Sequence, residues 1–263
     1  MGRFDQLEFD DGEPRKKVDK QEKEENPFLG STGTPIRDSR YFCREADVQF
    51  RLGNLEPALR EYSRALEQDS AMFEGWLGQV RVLLETGEYK EADLWANKAL
   101  ELFPEQADLL AVKAIALLRM GNKPAALGMS DRALASKGTT SFVWLARAEV
   151  LFASRKPMGD HCLAKAVELD KTGWANWEVS RLLRRYKKTS KAVPFAQEAT
   201  RLLPAEAGAW LELAHCQLAL KNRDAKHSLD QAVELSRDCI VARRLLERYR
   251  TPGLLGLFMF WKE

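Results

Sequence analysis

The chain has 263 residues, of which 45% are apolar and 30% are charged, so it can bury a core and remain in solution. Its formal net charge of +2 is too small to require a nucleic acid or a membrane as partner. No apolar run is long enough to span a bilayer, and the first residues lack the apolar stretch of a secretory signal. The four cysteines show no metal or redox spacing, which favours a reducing, cytoplasmic location.

The first segment, residues 1–38, is rich in charge and has no helical periodicity of apolar residues. Such a composition cannot bury enough apolar surface to compensate for the entropy of ordering. We therefore expect a disordered N-terminal tail.

From residue 39 onwards, small residues recur with a step of 34 positions. A fixed period of this length is typical of stacked helical repeats. Small side chains let two helix backbones approach closely, and glycine ends a helix in a left-handed conformation at little cost. The recurring residues are Gly53, Gly87 and Gly121, then Ala58, Ala92 and Ala126, and finally the pairs Ala65-Leu66, Ala99-Leu100 and Ala133-Leu134.

Large residues mark the same period. Trp76, Trp144 and Trp210 each lie early in the first helix of a predicted pair, and Pro104 and Pro204 follow second helices and stop them. An early Trp, small residues in both helices, a Gly turn, a late Ala-Leu and a closing Pro together resemble the tetratricopeptide repeat family. The resemblance covers about three-quarters of the chain and implies an all-α fold, a right-handed superhelical solenoid of antiparallel helix pairs.

On this basis we predict about six repeats within 39–238, followed by a capping helix at 239–250 and an apolar tail at 251–263. The capping helix would cover the apolar face of the last repeat. The repeats are placed at 39–72, 73–106, 107–140, 141–173, 174–206 and 207–238.

The later repeats depart from the pattern. Other residues replace the turn glycine around 154–156, 187–188 and 221–222, and each of these turns is expected to be one residue shorter. In the fifth repeat, either Trp177 or a neighbouring residue takes the early aromatic position.

The segment 251–263 ends in LLGLFMFWKE. Burial of so many apolar side chains is worth roughly 10 kcal/mol, so the tail should pack somewhere. It can cap the last repeat, fill the groove of the chain, insert into a partner or touch a membrane surface. The residues expected to dock are Leu254, Leu255, Leu257, Phe258, Phe260 and Trp261.

In the resembling family the first helices line a concave groove that holds a peptide or a helix. Arginines in such a groove can bind carboxylates, or they can be solvated surface residues. Mapping the repeat onto the chain gives as groove candidates Arg51, Arg81, Leu84, Ile115, Arg119, Glu149, Phe152, Arg181, Arg185, His215 and Leu218. The basic residues within 181–191 can likewise be a solvated face or a docking patch for an acidic partner.

We find no catalytic motif, no metal ligands at a recognised spacing and no cofactor site, so we predict a protein that is not an enzyme. The carboxylate clamp of chaperone-binding relatives is not matched, because the corresponding positions hold Cys43, Asp47, Gly78, Asp108 and Val112.

The leading hypothesis is therefore a scaffold or adaptor that binds a protein segment in its groove. The alternatives are an obligate subunit docked through the C-terminal tail and, with less support, an RNA-binding repeat protein. Self-association into a homo-oligomer is a further possibility.

Overall fold

The computed structural model describes residues 37–250, so the predictions for residues 1–36 and for the tail 251–263 lie outside the described residues. The described part contains thirteen α-helices and no strand. The all-α prediction is confirmed. The helices are α1 (Ser39–Arg51), α2 (Leu55–Gln68), α3 (Phe73–Thr86), α4 (Tyr89–Leu102), α5 (Ala107–Arg119), α6 (Lys123–Ala135), α7 (Ser141–Ala153), α8 (Gly159–Leu169), α9 (Trp174–Arg185), α10 (Thr189–Leu202), α11 (Ala207–Ala219), α12 (Ala225–Leu235) and α13 (Ile240–Arg250).

The first twelve helices form six pairs, and α13 packs against α12 after the last pair. Small residues at the crossings explain the close packing, since Ala46, Ala58, Ala114 and Ala126 are all fully buried. The first helix begins where the side chain of Asp38 accepts a hydrogen bond from the backbone N–H of Tyr41. The fold is thus a helical-repeat solenoid.

In each pair a residue shortly after the first helix adopts the left-handed conformation. Glycine provides it in the first three pairs, at φ 76–90°. Arg155, Lys187 and Lys221 provide it in the last three, at φ 52–57°. The later turns are not shorter, contrary to the expectation from sequence: three residues separate Arg155 from α8, whereas one separates Gly87 from α4. Because the turn geometry is retained, the backbone of Arg155, Lys187 and Lys221 adopts a conformation that costs about 1 kcal/mol or more per residue.

The fifth pair resolves the uncertainty about its aromatic position. Trp76, Trp144 and Trp210 each lie eleven residues before the left-handed residue of their turn, and the same count back from Lys187 gives Asn176. Trp177 comes one residue later and therefore points about 100° further around its helix.

The difference in register changes what the tryptophan contacts. Trp76 and Trp144 pack against the second helix of their own pair, on Trp95 and His161. The indole N–H of Trp177 instead donates to the carbonyl of Gly208 in the next pair, at 3.0 Å. Trp177 therefore contributes to the inner, concave side of the solenoid.

The first pair returns to contact the last one. Leu52, only 3% exposed, lies in the same core cluster as Leu211 and Leu246. The side-chain amide of Asn54 donates to the carbonyl of Asp238 at 2.9 Å. We call this contact between the α1–α2 turn and α11–α13 the closing interface.

The closing interface depends on one glycine. A Cβ atom at Gly208 would lie 2.9 Å from the carbonyl oxygen of Arg51, so only glycine allows α1 to approach α11 this closely. The concave face is consequently enclosed by the chain itself.

Candidate binding site on the concave face

Most of the predicted groove residues do meet on the concave side of the solenoid. Two of the eleven lie elsewhere: Phe152 packs on Tyr186, and Leu218 joins the core of the sixth pair. Arg51 and His215 line one cavity. The other seven line a second cavity beside it; they are Arg81, Leu84, Ile115, Arg119, Glu149, Arg181 and Arg185.

The inward-facing arginines are paired with glutamates of the chain itself. Arg185 contacts Glu85 at 2.5 Å and Arg181 contacts the same carboxylate at 3.1 Å, so α9 is connected to α3. Arg119 contacts Glu149 at 3.1 Å. With one further pair, Arg81 and Glu178, these groups form the concave cluster, namely Arg81, Glu85, Arg119, Glu149, Glu178, Arg181 and Arg185.

Glu85 is the acceptor with the most partners in the concave cluster. Burial by itself disfavours its charged form, but Arg181, Arg185 and Arg119 outweigh burial and lower the pKa of Glu85 to about 2. The carboxylate is therefore ionised at any physiological pH, and it ties three helices together.

Phe50 occupies the centre of the concave face and is 5% exposed. Its ring lies between two guanidinium groups, with Arg81 at 4.8 Å and Arg181 at 5.1 Å from the ring centroid. The ring also meets Trp177 edge to face, with 6.3 Å between centroids. Cation–π contacts of this kind stabilise a desolvated arginine.

The space around Phe50 is divided. The cavity among the residues of the concave cluster is only about 40 Å³, which is little more than the volume of one water molecule. Two larger cavities adjoin Phe50, one of about 240 Å³ and one of about 200 Å³. Each accommodates one or two side chains, whereas none accommodates a helix.

The larger cavity contains a buried polar group. Arg184 donates two hydrogen bonds to Glu212, at 2.7 and 2.9 Å, and the hydroxyl of Ser180 donates a third at 3.1 Å. Burial and the charge of Arg184 lower the pKa of the neighbouring His215 to about 4. His215 therefore presents a neutral imidazole to this cavity at neutral pH.

The smaller cavity is aromatic on one side and acidic on the other. Trp174 and Phe142 line it together with Asp47. The guanidinium of Arg51 lies over the ring of Trp174 at 3.7 Å and is 4.0 Å from the carboxylate of Asp47. Since 4.0 Å is too long for a hydrogen bond, Arg51 is the groove arginine held least tightly by the carboxylates of the chain.

The basic run at 181–191 is dispersed by the fold. Arg181 and Arg185 point inward to Glu85, and Lys188 lies over the ring of Phe152 at 3.7 Å. Lys191 contacts Asp160 at 3.2 Å. The run therefore does not form one continuous basic patch.

Sequence reasoning missed Phe50, Glu85, Glu178 and Trp177 as parts of this site. The sequence did carry a signal for the two glutamates. The second and fifth pairs each place both a glutamate and an arginine at inward positions, so that opposite charges of the two pairs can meet. Phe50 had none, since its burial depends on contact between the first and fifth pairs.

Within residues 37–250, no three acidic, histidine or cysteine side chains are grouped to hold a metal ion, and no helix is long and apolar enough to cross a bilayer. All four cysteines are free thiols. Burial raises the pKa of Cys216 to about 12, so this thiol stays protonated and unreactive at neutral pH.

Comparisons with known proteins agree with this architecture. The family model for the tetratricopeptide repeat matches residues 43–107. A thermophilic tetratricopeptide repeat protein from Thermus thermophilus is 17% identical, with a TM-score of 0.52, and the match covers 68% of this chain and 99% of that one. This similarity supports the fold.

Two further solved structures are similar at lower TM-scores. The tetratricopeptide repeat protein YrrB, described as having an unusual peptide-binding site, is 20% identical with a TM-score of 0.41, over 71% of this chain and 97% of that one. A tetratricopeptide repeat protein from Parabacteroides merdae is 17% identical with a TM-score of 0.48, over 82% of this chain and 86% of that one. No curated protein matches the sequence. The match of the family model over residues 43–107 and the repeated helix pairs show that the chain is similar in fold to tetratricopeptide repeat proteins.

Proposed function

We propose that the chain is a non-enzymatic scaffold that binds an acidic segment of a partner protein at the mouth of the concave face. A helical solenoid offers an extended, preorganised surface to protein partners. The observation that carries the proposal is that Arg51 lines both of the side-chain-sized cavities beside Phe50, while His215 lines the larger one.

Arg51 is the residue expected to recognise the partner. Its guanidinium is stacked on Trp174 at 3.7 Å, which orients its plane and leaves hydrogen-bond donors along the edge. A partner carboxylate can accept two parallel hydrogen bonds from such an edge. The deeper arginines already bind Glu85, Glu149 or Glu178, so a partner would have to displace one of these carboxylates.

The enclosed concave face limits how the partner binds. The closing interface prevents a helix from lying along the inside, and the cavity within the concave cluster is about 40 Å³. We therefore expect one or two anchor side chains to enter the cavities beside Phe50 while the rest of the segment stays outside.

The test compares the tagged full-length chain with Arg51→Gln and with Arg201→Gln. Arg201 also pairs with a carboxylate, Glu198, but its side chain is 68% exposed on α10, away from the concave cavities. Partners captured from the native source are identified and quantified by mass spectrometry. Loss of one bidentate charge-assisted contact is expected to weaken capture about tenfold or more in Arg51→Gln only. Equal capture by both variants would place the partner elsewhere.

Two other functions remain weaker proposals. An obligate subunit docked through residues 254–261 would never be found free of its complex, so gel filtration of the native extract separates it from an adaptor. RNA binding would weaken steeply as salt rises. A cytoplasmic location is supported by the four free thiols.

A further inference from the structure

A cavity with an apolar lining lies on the outer side of the solenoid, between α8 and α10. Its volume is about 760 Å³. Leu163 and Val167 of α8, Leu183 of α9 and Phe195 of α10 form its floor. We call this feature the outer cleft.

The outer cleft lies where α8 packs only loosely against α9. The α7–α8 pair has three residues between the left-handed Arg155 and the first helical residue, and α8 begins only after Pro157 and a second left-handed residue, Met158. Phe152 then packs directly over Gly159, where a Cβ atom would collide with the ring. As a result α8 makes few contacts with α9, whereas α4 packs closely along α5.

The chemistry of the outer cleft fits an uncharged apolar segment. Leu163 and Leu183 are 3% and 1% exposed, so the floor is continuous with the core. Charged residues lie only at the two ends, with Asp160 and Lys191 paired at one and Glu168 and Lys171 at the other. A partner bound through phosphate groups would find no cation on the floor.

The chain itself contains such a segment. Residues 254–261, LLGLFMFW, carry no charge, and they are followed by Lys262 and Glu263. The last described residue, Arg250, ends α13. Because every pair is antiparallel, odd-numbered helices end at the edge of the array where even-numbered helices begin, so α13 ends at the edge where α8 and α10 begin.

The distances agree with an intramolecular contact. The first helices of successive pairs contact one another, so α13 lies about two such spacings, or roughly 20 Å at 8–10 Å each, from the first helix of the fifth pair. Residues 251–256 span about 20 Å when extended. The eleven residues of α8 extend over about 16 Å, which is also the length of five extended residues.

We propose that residues 257–261 of the same chain bind in the outer cleft. Phe258 and Phe260, which lie on the same side of an extended segment, would cover the floor. Lys262 and Glu263 would then lie next to Glu168 and Lys171, with opposite charges facing each other.

The test uses hydrogen exchange with mass spectrometry on the full-length chain. One variant, Phe258→Asp with Phe260→Asp, makes the tail polar. The second, Ala164→Glu, puts a charge in the cleft at an exposed position, so the fold is not at risk. Gln197→Glu is the matched control, because it puts the same charge at the corresponding, exposed position of α10 outside the cleft.

We expect exchange in α8 and in the first half of α10 to become roughly tenfold faster in both the tail variant and Ala164→Glu, because local opening is no longer opposed by the bound segment. Gln197→Glu should behave as the parent chain. The proposal is overturned by faster exchange confined to α12 and α13, which would make the tail a cap. It is also overturned if the exchange rates of α8 and α10 do not change, which would leave the cleft to a partner. Protection of α8 and α10 that depends on protein concentration would overturn it as well, because it would indicate binding of a second copy.

Discussion

Replacement of Glu85 by glutamine tests whether the concave cluster holds the solenoid together. Glutamine keeps the size of the side chain and removes only the charge that binds Arg181, Arg185 and Arg119. A pKa of about 2 in place of 4.5 corresponds to ~3 kcal/mol of stabilisation at neutral pH, at 1.36 kcal/mol per pKa unit. The free energy of unfolding should fall by about that amount at pH 7.

The effect must depend on pH. Since the pKa of Glu85 is lower in the folded chain, its stabilisation is complete above pH 4.5 and is lost as the pH falls towards 2. The free energies of unfolding of parent and variant can be measured by urea unfolding, followed by circular dichroism and by tryptophan fluorescence. They should differ at pH 7 and become nearly equal near pH 2.

The matched control is Glu105→Gln. Glu105 also contacts an arginine, Arg132, but both side chains are at least half exposed, so the change should cost less than about 1 kcal/mol. The reasoning would be refuted if Glu85→Gln lowered the free energy of unfolding by an equally small amount, or by the same amount at pH 7 and at pH 2.

Three other predictions concern backbone geometry and burial. Gly78→Ala should destabilise the chain by about 1–3 kcal/mol, because the added methyl group would fall within the ring of the buried Tyr62. Gly128→Ala, in open space on α6, should instead stabilise the chain by about 0.5–1 kcal/mol. Lys187→Gly should raise the melting temperature by relieving about 1 kcal/mol of strain, and Gly87→Ala should lower it. A change of melting temperature in the same direction for both variants would contradict this. The imidazole of His215 should titrate by NMR with a midpoint near pH 4, and a midpoint near 6.5 would show that it is not buried.

The local pattern of the repeat was readable from the sequence because it depends on residues close to each other along the chain. The period of 34 located the turns at Gly53, Gly87 and Gly121, and all three adopt the left-handed conformation. Most groove candidates also reached the concave side, since helix periodicity decides which face a residue occupies.

What the sequence did not reveal depends on contacts between distant repeats. The burial of Phe50 and the pairing of Arg185 with Glu85, a hundred positions apart, follow from contacts of the fifth pair with the first and second pairs. Small rotations between successive pairs accumulate over the whole array, and no local motif encodes their sum. The position of Trp177 was ambiguous for a related reason, as the fifth repeat has no turn glycine to fix its register.

The closing interface also fixes the number of repeats. An open stack can gain or lose a helix pair with little consequence, because each pair contacts only its neighbours. Here the side chain of Asn54 must meet the carbonyl of Asp238, and Gly208 must meet the backbone of Arg51. Removal or duplication of any internal pair would carry these partners apart, so the number of pairs cannot change while the closing interface is kept.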